Sequence, residues 1–174
     1  MKKGIKKNLL LMAVVVMGGY ILSGCGYYIA GKGGVMPGGV TSVAIPVFVN
    51  RTRKPNIESI ITNKFASEFV TTVDVRDDAE AELRGVIKTY ELRPVSYTKN
   101  DVVQEYRLSV TLALSLVDNN GGEVLWEDGD VRDYEDFIVN STDVTATEEA
   151  EITVFKKLSK DLARLVKERM LENF

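Results

Sequence analysis

The side chains of this 174-residue sequence that could do chemistry are carboxylates, lysines, arginines, tyrosines and a single cysteine, because it contains no histidine. Ser-His-Asp and Cys-His catalysis are excluded, since both need an imidazole base. One cysteine closes no internal disulfide, and a zinc site usually needs at least two thiolates or imidazoles. The acidic run Glu127, Asp128, Asp130, Asp133, Glu135 and Asp136 has the ligand types of a calcium site. It lacks the spacing of a calcium loop, and strand alternation would spread it over two faces. A solvated edge strand, charged against aggregation, is the better reading. No carboxylate pair is nominated for glycoside hydrolysis. Gly26 to Lys32 nearly spells a phosphate-binding loop, but Gly33 stands where Ser or Thr belongs and no strand precedes it. The expectation is a non-enzyme with no cofactor and no metal. Arg93, Lys99 and Arg107 are more promising, because they flank Tyr97 and Tyr106 in a mix suited to phosphates and sugars together. A net charge of -3 and a pI near 5.2 argue against nucleic acid as the partner.

The cysteine has the clearest context. Four lysines within residues 1–7 precede an apolar run over residues 9–21, too short for a membrane-spanning helix. Leu22-Ser23-Gly24-Cys25 follows and resembles the bacterial lipobox, in which the cysteine receives diacylglycerol and becomes the new N-terminus. Residues 1–24 are therefore expected to be a lipoprotein signal peptide, with Cys25 the lipidation site. Gly26 stands in place of the aspartate that retains such proteins at the inner membrane, which implies the outer membrane, reached through the lipid anchor on the periplasmic side.

Residues 25–39, rich in glycine, read as a lipidated tether, and residues 40–174 as a single domain. Residues 40–49 are β-branched and apolar, a first strand in which Pro46 marks an edge or bulge. Ile57, Ile60, Ile61, Phe65 and Phe69 fall at helical spacing over residues 55–71, with Pro55 at the first turn. Residues 74–80 read as an acidic loop and 83–92 as a second strand that Pro94 interrupts or ends. Tyr106, Leu108, Val110, Leu112, Leu114 and Leu116 alternate with polar or small residues, a third strand with one buried face. The turn at residues 118–122 leads into a fourth strand over 123–139, kinked at Asp128-Gly129-Asp130 and carrying Trp126 toward the core. Thr145 and Glu148 form a capping box for a final helix. The fold class is α+β: a mainly antiparallel four-stranded sheet with two helices on one face, in the order β-α-β-β-β-α.

These segments resemble the lipopolysaccharide-assembly lipoprotein family LptE. The likeness is carried by the Leu22–Cys25 lipobox with its glycine-rich sequel, by the stretch from Val43 to Thr52, and by Leu83 to Ile87. It continues through Glu105-Tyr106-Arg107, Gly122 to Trp126 and the closing helix. The resemblance implies an outer-membrane lipoprotein that plugs the β-barrel LptD, helps it assemble, supports lipopolysaccharide transport to the outer leaflet, and binds lipopolysaccharide. It also implies a basic residue in the loop between the second and third strands, which Lys99 matches. A second basic contact near the start of the last helix has no match in Thr145-Ala146-Thr147-Glu148-Glu149. Lys99, Arg93, Arg107 and Tyr97 are thus the expected contacts for lipopolysaccharide or barrel. The first strand and helix also resemble lipoproteins that activate peptidoglycan synthases or form secretion pores. Those would continue in repeated αβ units, where this sequence turns to consecutive strands.

Overall fold

A computed structural model describes residues 35–100, 102–139 and 144–172; Cys25, the signal segment and most of the tether lie outside the described residues. The elements are β1 (Ser42–Ala44), β2 (Val49–Asn50), α1 (Ile57–Phe69), β3 (Asp74–Val75), β4 (Ala81–Tyr97), β5 (Val103–Asp118), β6 (Val124–Ile138) and α2 (Val144–Glu172). The sheet runs β3-β1-β4-β5-β6, with β2 also on the β4 edge. The three long strands pair antiparallel, whereas β1 and β2 lie parallel to β4. That mixture follows from connectivity. Short turns join the long strands, while α1 carries the chain across from the first strand to the second, as a parallel pair requires.

The alternation in β5 places its apolar residues on the buried face as expected, although Ser109 and Thr111 on the other face are buried as well. Leu108, Val110, Leu112, Leu114 and Leu116 are buried beneath the helices. Their partners on α1 are Ile57, Ile61, Phe65 and Phe69, and on α2 Phe155, Leu158, Leu162, Val166 and Met170, all in one core. Each such side chain stabilises the fold by roughly 1.5–3 kcal/mol before entropy is counted. Trp126 packs partly buried against the same core.

Several boundaries differ from expectation, each for a local reason. The first strand is two strands, because the chain leaves the sheet at Ile45–Pro46 and turns Phe48 inward. Phe48 meets Phe65 edge-on at 5.0 Å, and its backbone N–H donates to Thr62 Oγ1 at 3.0 Å. Helix α1 starts at Ile57, and Asn56 at φ 63° precedes it, a left-handed conformation that asparagine tolerates. Pro55 therefore sits outside the helix. The acidic loop contains the short strand β3 beside β1. Pro94 does not end the second strand: β4 pairs on to Tyr97 through a register shift between Pro94 and Ser96. Asp128-Gly129-Asp130 does form the expected irregularity, a register shift opposite Leu112 and Leu114. Thr145, expected as a cap, lies inside the first turn of α2. Met36 is buried and Pro37–Gly39 forms a 3-10 turn whose Gly38 abuts Leu125, so the end of the tether packs onto the domain.

The functional consequence lies in the length of the long strands. Burial on β4 ends at Ile87, where pairing with β2 also ends. Beyond that point, among the described residues, β4, β5 and β6 continue as a three-stranded ribbon with no further strand beside β4. At ~3.3 Å per residue, the 16 residues of β5 extend roughly 50 Å.

Candidate functional site

The ribbon is fixed at its base by a polar cluster that the sequence did not single out. Tyr90 Oη donates to Glu151 Oε1 at 2.6 Å, and Lys54 Nζ approaches the same oxygen at 2.8 Å. Burial, and then the acceptor carboxylate of Glu151, push the Tyr90 phenol well above the usual tyrosine range. Its ring stands edge-on to Phe155 at 5.5 Å. An Asx turn positions Lys54: Asn50 Oδ1 accepts from Thr52 N–H and Oγ1, and Asn50 Nδ2 donates to the Lys54 carbonyl at 2.8 Å and to Glu58 at 3.0 Å. The loop before α1, the middle of β4 and the start of α2 thus meet at one carboxylate.

The acidic strand β6 is an edge strand, and several of its carboxylates are ion-paired rather than simply solvated. Asp128 pairs with Arg169 at 2.6 Å and Glu135 with Lys157, both on α2. Asp130 pairs with Lys88 at 3.4 Å, and Lys88 also donates to the Gly129 carbonyl. Among the described residues, no group of three or more acidic, cysteine or histidine side chains is arranged to hold a metal ion.

The four residues expected as contacts, Arg93, Tyr97, Lys99 and Arg107, fall in the distal ribbon but do not converge. Arg107 and Arg93 are cross-strand neighbours, and each is held by its own carboxylate. Arg107 donates two hydrogen bonds to Asp136, at 2.7 and 2.8 Å, and lies 4.0 Å over the Tyr134 ring. Those bonds hold the Asp136 carboxyl below its ordinary range. Arg93 pairs with Glu91 at 2.7 Å. Tyr106 points to the helix side, beside Phe137, and so parts from Arg107. Tyr97 and Lys99 remain exposed at the end of the hairpin. There Thr98 Oγ1 accepts from the N–H groups of Asn100 and Val102, and Thr98 N–H donates to the Val102 carbonyl at 2.7 Å. Lys99 lies between the residues that these bonds join.

The architecture is an α+β fold in which a helix-backed mixed sheet is drawn out into a ribbon. Two solved structures share the fold. Rare lipoprotein B from Shewanella oneidensis matches with 13% identity over 76% of this chain and 95% of its own, at a TM-score of 0.53. Lipoprotein B from Nitrosomonas europaea matches with 18% identity over 84% of this chain and 91% of its own, at 0.54. No curated protein matches the sequence. The profile of the lipopolysaccharide-assembly family LptE matches residues 40–170, and the chain belongs to that family. It is accordingly an envelope-associated lipoprotein of lipopolysaccharide assembly, with a structural and not an enzymatic role.

Proposed function

We propose that this protein is an outer-membrane lipoprotein, anchored through Cys25, that plugs an LptD-type β-barrel, helps it assemble, and supports delivery of lipopolysaccharide to the outer leaflet. The ribbon is the observation that carries this reading. From Lys88 to Tyr97 the ribbon extends roughly 33 Å, comparable with the ~30 Å hydrocarbon core of a bilayer, so it can run the height of a barrel lumen. Its outer face is a ladder of ion-paired side chains, including Arg93 with Glu91 and Arg107 with Asp136, which suits a polar lumen. Lys99 and Tyr97 at the far end reach lipopolysaccharide or a barrel loop, while Arg93 and Arg107 keep the face behind them charged and ordered. Purification of the tagged, lipidated protein from outer membranes tests the reading. A stable complex with a large β-barrel protein is the expected outcome; recovery of the protein alone, or with a peptidoglycan synthase, would overturn it.

A further inference from the structure

The far end of the ribbon carries more exposed apolar surface than a wholly polar lumen contact requires. Val95, Tyr97 and Val102 are exposed there, Ile138 is 78% exposed and Val144 73% exposed. An open cleft of about 220 Å³ lies between the start of β5 and the start of α2, lined by Val102, Val103, Tyr106, Val139, Val144 and Glu148 among others. Tyr106 rests against Phe137, with ring centroids 6.2 Å apart. We infer that this cleft takes one acyl chain of the lipopolysaccharide molecule that the family handles, an assignment that rests on the lipopolysaccharide-binding part of the function proposed above.

Size and charge favour this occupant. The cleft, at about 220 Å³, is smaller than the ~300–1,000 Å³ of pockets that enclose a drug-sized ligand, and it suits a slender ligand such as a single acyl chain. Its walls are mostly valines and one tyrosine, with Thr147 and Glu148 as the polar lining. The adjoining turn, closed by the Thr98–Val102 bonds, presents Lys99 to the phosphates of an anionic lipid at the same end of the molecule.

Photolabelling tests the inference. Full-length lipidated protein, held in an amphipathic polymer, is exposed to dodecyl phosphate bearing a terminal diazirine, and labelled peptides are mapped by mass spectrometry. Label concentrated in residues 102–106 and 144–148, displaced by excess lipopolysaccharide, is the expected result. Val144→Asp places a carboxylate in the lining at an exposed position, so it should cut labelling about tenfold without moving the melting temperature. Label scattered over the surface, or unchanged in Val144→Asp, overturns the acyl assignment. So does label that lipopolysaccharide fails to displace. If lipopolysaccharide binds both proteins equally, the acyl site falls while the proposed function stands. Loss of the barrel complex in Val144→Asp with labelling intact would make the cleft a protein-docking surface instead.

Discussion

Glu151 is the residue on which the ribbon's base depends, because it accepts from Tyr90 and pairs with Lys54 while nearly excluded from water. Tyr90→Phe keeps the ring against Phe155 but removes one bond to a charged acceptor. The expected cost is about 1–2 kcal/mol, toward the lower end because Lys54 still neutralises the carboxylate. The pH dependence has a definite sign. The folded-state pKa of Tyr90 is raised, so its contribution is complete below the unfolded tyrosine value near 10 and is lost as pH rises beyond it. Melts of wild type should therefore fall toward the Tyr90→Phe melt above about pH 10; a difference that persists unchanged would contradict this account of Tyr90. Lys99→Glu acts on the other end of the ribbon. It should melt like wild type, since an exposed charge contributes little to stability, yet weaken lipopolysaccharide binding or raise permeability to large antibiotics. Unaltered binding and permeability would leave Lys99 a solvated lysine. No part of the Lys54–Tyr90–Glu151 cluster was legible in the sequence, because Tyr90 and Glu151 stand 61 positions apart and no local pattern links them. The exposure of Lys99 was legible, since a basic residue in a turn between two alternating strands is exposed by its position.

Elements were easier to read than their ends. The alternation in β5 was decisive because that strand has neighbours on both sides and one face under both helices, so every second residue had to be apolar. The two prolines misled in opposite directions. Pro46 broke its strand, since the sheet there yields to Phe48; Pro94 did not, because a register shift absorbs it where, among the described residues, no further strand pairs with β4. The break at Pro46 has an unadvertised partner in Gly85. A Cβ at that position would lie 2.5 Å from the Phe48 ring, so only glycine lets the ring cross β4. Gly85→Ala should destabilise by about 1–3 kcal/mol through overpacking in the buried core, read as a lowered melting temperature. Leu112→Asp should be more severe, because an unpaired carboxylate would face the helices; a near-native melt would mean that the assignment of faces is wrong.

At the scale of the whole molecule, the chain enters its folded unit at one end of the sheet and sends the β4–β5 turn to the other. A lipid on Cys25 would thus hold one end at the membrane surface and leave the ribbon free to enter a partner. Cys25→Ala should abolish acylation and release the protein from the membrane fraction, as judged by mass spectrometry of the mature N-terminus. An unmodified Cys25 in the native protein would remove the anchor from the account. The central claim is that the ribbon lies inside a β-barrel, and site-specific photo-crosslinking in living cells tests it most directly. With a photoreactive amino acid at Tyr134, which is exposed on the outer face of β6, the account predicts one dominant adduct with a large outer-membrane barrel protein. Adducts only with soluble periplasmic proteins, or none at all, would contradict it.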